Sequence, residues 1–141
     1  MTDPCRPVPR ILVVDDEEGA VETLGYILEN EGFHVTPALN GAAAVAELAR
    51  ATFDVLLLDI VMPDADGLLL CHEIRTAYPR MPVILMTGYY ADTVFDDVQS
   101  MPGVYLLNKP LPIADLLTMC RELCQGGALP EMVASQSLIG H

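Results

Sequence analysis

Phe53-Asp-Val-Leu-Leu-Leu-Asp-Ile-Val-Met-Pro-Asp-Ala-Asp-Gly67 begins as a run apolar at nearly every position and then stops on an acid, Asp59. A strand with one face in water alternates apolar and polar residues, whereas a strand covered on both faces does not. A buried strand is therefore predicted over Phe53–Asp59, with a layer of helix on each side. Met62-Pro63 and Asp64-Ala65-Asp66 supply turn chemistry, and a helix is predicted from Gly67 to Tyr78.

Outward from this segment the same alternation repeats. Toward the N-terminus, Arg10-Ile-Leu-Val-Val-Asp15 reads as a strand. It is followed by a helix over Glu17–Glu31 with Val21, Leu24, Ile27 and Leu28 at helical spacing and Gly32 as its stop. Phe33–Ala38 reads as a strand at the sheet edge because it carries Pro37. Asn40-Gly41 then turns the chain into a helix over Ala42–Arg50. Toward the C-terminus come a strand at Pro82–Thr87, a helix at Ala91–Ser100, a strand at Val104–Asn108 and a helix at Ile113–Cys124, with Gly126-Gly127 closing the pattern. Five strand–helix units predict a parallel sheet with helices on both faces. Right-handed crossovers reduce the topologies to a few doubly wound forms.

Bulk composition narrows the function. The 141 residues suit one domain, and a 52% hydrophobic content supplies a core. No apolar run approaches the ~20 residues that cross a bilayer, and Arg10-Ile-Leu-Val-Val gives way at once to Asp-Asp-Glu-Glu, unlike a signal peptide. A cytoplasmic location and no membrane contact are expected. Twenty acids face seven Lys and Arg, for a net charge of −13, so direct binding to a phosphate backbone is not expected. Cys5, Cys71, Cys120 and Cys124 form no CxxC pair and read as small hydrophobes in a reducing compartment.

In doubly wound sheets the binding crevice lies beyond the carboxyl ends of the strands. The strand ends here offer Asp15 and Asp16, Asp59, Thr87 and Lys109. One strand ending in Asp is ordinary; four ending in complementary chemistry are not. Two carboxylates ~4 Å apart repel by about 4 kcal/mol at an effective dielectric near 20. Such a cluster calls for a cation, and hard oxygen donors suit Mg²⁺. Asp59 would attack as nucleophile, Thr87 would donate to a phosphoryl oxygen, and Lys109 would pair with another. Gly88 lets the backbone approach closely.

The blocks ILVVDDEE, LLLDIVMPDADG, PVILMTG and LLNKPL, spread over roughly residues 9–124, resemble the four signature blocks of response-regulator receiver domains. The resemblance implies a flavodoxin-like doubly wound (βα)5 fold, a five-stranded parallel sheet in order 2-1-3-4-5. It implies an Mg²⁺ ion held by Asp15, Asp16, Asp59 and the backbone carbonyl of Val61. Asp59 becomes the phosphoacceptor, Thr87 the switch hydroxyl and Lys109 the phosphate-pairing lysine, with Lys109-Pro110 cis. The implied phosphodonor is a histidine kinase or histidine phosphotransfer protein. Output is expected through a protein target on the face made by the helix at Ala91–Ser100, the strand at Val104–Asn108 and the helix at Ile113–Cys124; a homodimer is left open. The expected organisation is an N-terminal extension over 1–9, the receiver over 10–125, and a tail over 126–141 with no effector domain.

Two departures from the family pattern stand out. Receivers commonly carry an aromatic three positions before the lysine, and here that position is Leu106, with Tyr105 facing the other way by strand alternation. Val61 and Tyr89 hold the places that flank the hydrolytic water, and their side chains predict slow autodephosphorylation. Beyond its own phosphoryl transfer and dephosphorylation the chain is not expected to be an enzyme. Dehalogenase-type phosphatases also use an Asp nucleophile with Mg²⁺, but they want a second acid where Val61 stands. A pseudo-receiver would have lost an acid, the threonine or the lysine, and flavin binding would set a phosphate against Asp-Asp-Glu-Glu.

Overall fold

The computed structural model describes residues 8–62, 65–88 and 101–125. Its strands are β1 (Arg10–Val14), β2 (His34–Ala38), β3 (Val55–Asp59), β4 (Val83–Thr87) and β5 (Val104–Asn108). They form one parallel sheet in order β2-β1-β3-β4-β5, as expected. The helices α1 (Glu18–Asn30), α2 (Gly41–Arg50) and α3 (Gly67–Ala77) follow the first three strands, and the helix Ile113–Cys124 follows β5. The helix expected at Ala91–Ser100, the terminal extension before Val8, and the tail over 126–141 lie outside the described residues.

Element ends have local causes. Gly32, at φ +97°, terminates α1: its N–H donates to the Glu29 carbonyl and the Phe33 N–H to the Leu28 carbonyl. That pairing satisfies two orphan carbonyls and brings Phe33 against Leu28 in the core. It also spends the Phe33 N–H, so β2 begins at His34, one residue later than the apolar run suggests. Asn40 caps α2, its side-chain oxygen accepting from the Ala43 N–H at 2.7 Å. β3 begins at Val55 because the Asp54 carboxylate folds back onto the Arg10 N–H at 2.7 Å. Pro37 stands in β2 at the sheet edge, where a missing donor costs nothing.

β3 and β4 are buried at all five positions, consistent with cover on both faces. Odd and even residues separate into two cores. Leu12, Val14, Leu56, Leu58, Val83, Leu85, Val104 and Leu106 pack with Leu48, Leu70 and Ile74 under α2 and α3. Ile11, Val13, Val55, Leu57, Ile84, Met86 and Leu107 pack with Leu24, Leu28, Leu116 and Met119 under α1 and the Ile113–Cys124 helix.

Two features were not anticipated. After Asp59 the chain makes a small antiparallel ladder, Val61–Met62 with Ala65–Asp66, which holds the loop back on itself. At the opposite end of the sheet Arg75 donates to the Met81 carbonyl at 2.6 Å and the Pro102 carbonyl at 2.7 Å, tying the segments that enter β4 and β5.

Gly67 starts α3 where no side chain fits: a Cβ there would lie 2.5 Å from the Ile60 carbonyl oxygen. Gly67→Ala must push Ile60, and with it the loop after Asp59; a loss of about 1–3 kcal/mol in urea unfolding is expected. Cys71 and Cys120 have no exposure, and burial pushes their thiols up to about 11 and about 12. Cys124 is half-buried and likewise raised, to about 12, by burial and then by Asp54. At pH 8 the thiolate fraction is therefore on the order of a thousandth or less. In a Cys5→Ser background a thiol reagent should label the native protein slowly and the urea-unfolded protein rapidly.

Candidate functional site

The carboxyl ends of β1, β3 and β5 place Asp15, Asp59 and Lys109 together for a reason of parity. Each stands two residues beyond a side chain of the α1-side core, namely Val13, Leu57 and Leu107. All three thus leave the backbone toward the same side of the sheet. Lys109 is on the strand farthest from β1, so its side chain must reach across the end of β4. The long aliphatic stem makes that span, and its ammonium comes within 3.1 Å of Asp15 Oδ2 and 3.0 Å of Asp59 Oδ2. Gly88, at the end of β4, lies beside the base of the stem: a Cβ there would meet Lys109 Cβ at 4.0 Å, an ordinary contact.

Asp15 and Asp59 are 1% and 5% exposed, while Asp16 is open to solvent. The second oxygen of Asp15, Oδ1, accepts the Glu17 N–H at 3.0 Å, which fixes the carboxylate at the entry to α1. One carboxylate oxygen from each of Asp15, Asp16 and Asp59 lies within 4.8 Å of the others. Burial pushes the Lys109 ammonium down, but its hydrogen bonds to Asp59 and Asp15 and their charges outweigh this and hold it above its usual range. With the three carboxylates ionised, the single ammonium leaves two negative charges over. The residues therefore fit a hard cation: three oxygen donors converge, two of them are nearly dry, and the third faces water, from which an ion would enter.

Thr87 is fully buried at the end of β4 and stands opposite Asn108 of β5 in the ladder. Its backbone carbonyl accepts the Lys109 N–H at 2.7 Å, joining the hydroxyl-bearing strand end to the lysine. By parity it belongs with Leu85 and Leu106, on the face away from the carboxylates. Lys109-Pro110 is cis, as expected. Leu106 is 2% exposed in the core under α2 and α3, and Tyr105 is packed on the opposite face, so the two do not exchange roles. Of the loop position Val61 the backbone is described, within the short ladder, and Tyr89 lies outside the described residues.

The Glu17 N–H is the contributor to this site that inspection of side-chain types misses; the Asp15-Asp16-Glu17 spacing, with an acid two residues ahead of a helix start, is the signal that could have found it. A groove of about 440 Å³ adjoins Asp15 and Lys109, between Ala20, Thr23 and Leu24 of α1 and the Pro110–Ile113 segment. A separate cavity of about 600 Å³ opens at the far end of the sheet, near Phe53, Met81 and Leu123, and contains none of the convergent carboxylates.

Residues 11–121 match the model of the response regulator receiver domain. The chain is 35% identical over 115 residues to the probable transcriptional regulatory protein TcrX of Mycobacterium tuberculosis, a match covering 80% of this chain and 48% of that protein. It is 34% identical over 108 residues to the response regulator receiver protein CpdR of Brucella abortus, covering 77% of this chain and 90% of CpdR. The chain thus spans about half the length of TcrX but most of CpdR. Among solved structures, a CheY-like receiver domain protein of Methanospirillum hungatei superposes with a TM-score of 0.77 at 28% identity, covering 85% of this chain and 96% of that one. The sheet order, the acidic rim and these likenesses agree: the chain belongs to the response regulator receiver domains of two-component systems.

Proposed function

We propose that this receiver domain takes a phosphoryl group onto Asp59 from a phosphohistidine on a histidine kinase or histidine phosphotransfer protein, with Mg²⁺ as the required ion. The observation that carries the reading is the convergence of Asp15, Asp16 and Asp59 with Lys109 at one rim. Asp59 suits the acceptor role because it is central in the sheet, flanked by β1 and β4, and reached by Lys109. In the transfer an Asp59 carboxylate oxygen forms a bond to phosphorus as the histidine nitrogen–phosphorus bond breaks, and the imidazole leaves with the electron pair.

Lys109 would then hold a phosphoryl oxygen as a compact charge, and the Thr87 hydroxyl would approach another. Asp15, Asp16, Asp59 and the Val61 carbonyl would hold Mg²⁺, which when bound neutralises charge developing on the phosphoryl oxygens. The groove beside Asp15 and Lys109, with Ala20 and Leu24 on its wall, supports docking of the histidine-bearing partner next to the acceptor. The chain would act on its own phosphoryl group alone, both in transfer and in loss, and not on other substrates. Signal output would then pass through contact with a target protein. Among the described residues no helix is long and apolar enough to cross a membrane.

Incubation with acetyl phosphate and Mg²⁺ should add one phosphoryl mass to the intact protein, and Asp59→Asn should abolish it; a persistent adduct in that variant would remove Asp59 from its role. Calorimetric titration with Mg²⁺ should show Asp16→Asn weakening binding by roughly tenfold or more, since loss of even an outer partner of a metal ligand costs 10–100-fold.

A further inference from the structure

The cavity of about 600 Å³ at the far end of the sheet lies where both cores stop. Phe53 and Met81 come to its wall from the core under α2 and α3, and Leu123 and Cys124 from the core on the other face. Arg80 lines the same opening in full exposure, and among the described residues it pairs with no carboxylate. Asp54, the acid on this rim, already has one oxygen taken by the Arg10 N–H. A largely apolar hollow of this size, with one unpaired cation at its edge, suits a short apolar segment that carries a single acid.

The chain itself supplies such a segment. The helix Ile113–Cys124 ends on two residues of the cavity wall, so whatever follows Gln125 starts beside the opening. Gly126-Gly127 come first, with the backbone freedom to reverse the chain. Leu129-Pro-Glu-Met-Val133 follows, apolar on either side of Glu131, which is the one acid in residues 126–141, a stretch without Lys or Arg. The residues from Gly126 to Leu129 reach at most about 14 Å, enough to turn back over a wall that the helix end already forms.

We infer that the segment 129–133 folds back into this cavity, with its apolar residues against Phe53 and Met81 and with Glu131 paired to Arg80. A tether this short holds the segment at an effective concentration on the order of millimolar, so that it outcompetes a second copy of the chain in dilute solution. Docked there, it covers Cys124 and joins the two cores at the end of the sheet opposite the carboxylates.

The test uses the full chain in a Cys5→Ser background, with a neutral alkylating reagent and peptide mass mapping to follow Cys124; Cys71 and Cys120 have no exposure. Arg80→Glu and Glu131→Arg should each speed Cys124 alkylation about threefold or more, and the double variant, which restores the pair with its charges reversed, should return to near the parent rate. Single variants that react at the parent rate, or a double variant no slower than the singles, would overturn the docking. So would a parent rate that falls as protein concentration rises, which would seat a second copy in the cavity in place of the segment. A readout free of thiol chemistry uses methyl-labelled methionine: Glu131→Arg should move the Met81 methyl resonance and leave Met86 and Met119, packed in the other core, in place. An unmoved Met81 resonance would also overturn the docking. None of these measurements depends on Asp59 accepting a phosphoryl group.

Discussion

Like charges gather in a folded chain only where something holds them, and here three carboxylates converge within a few ångströms of one another at the carboxyl rim of the sheet. The repulsion among them is the constraint around which the site is arranged. Two of the acids sit where water cannot screen them, so the protein meets the charge with the means available at strand ends: a backbone N–H at the start of α1 and an ammonium carried across from β5. Neither neutralises the cluster. The residual negative charge fits the pocket to a cation, and would disfavour the proposed phosphoryl group until one is bound.

The architecture supplies this cluster because the strands are parallel. All five carboxyl ends face one way, and a shared parity sends Asp15, Asp59 and Lys109 to one side of the sheet while Thr87 rises on the other. Asp59, the proposed acceptor, therefore lies between two kinds of group: charge from the α1 side and a buried hydroxyl from the α2–α3 side. Under that hydroxyl is Leu106, an aliphatic residue sealed in the core and bordered by Leu85 across the ladder. A flat ring can rotate between an inner and an outer pose; a branched side chain already filling its space has no comparable pair of states. A shift of Thr87 toward the proposed phosphoryl group would therefore have to repack the aliphatic layer beneath α2 and α3.

Much of this was legible in the residues. Continuous apolar runs ending in Asp15, Asp59 and Thr87 gave strands buried on both faces, and Pro37 marked the edge. The chemistry of the rim could be read because it stands at the ends of those runs. What the one-dimensional pattern does not carry is distance. That Asp15 is sealed and Asp16 is open follows from α1 starting at Glu18 and drawing the Glu17 N–H over Asp15. That Lys109 touches both acids depends on a stem crossing β4, a contact between residues 94 and 50 positions apart. Strand starts moved by one or two residues where a side chain or a helix cap had already taken the first donor, as at Asp54 and Phe33. The ladder after Asp59 joins segments too short to show a period.

Arg75 lies far from all of this chemistry, at the floor of the sheet, where its two terminal nitrogens hold the carbonyls of Met81 and Pro102. Gly103, at φ +78°, leaves the space its guanidinium fills. The chain that departs from the rim at Gly88 must come back to a point pinned by this residue. Arg75 thus works as a clasp: β4 and β5 are anchored at their feet by one side chain, so a shift of Thr87 or Lys109 at the rim would start from strands whose bases are tied together.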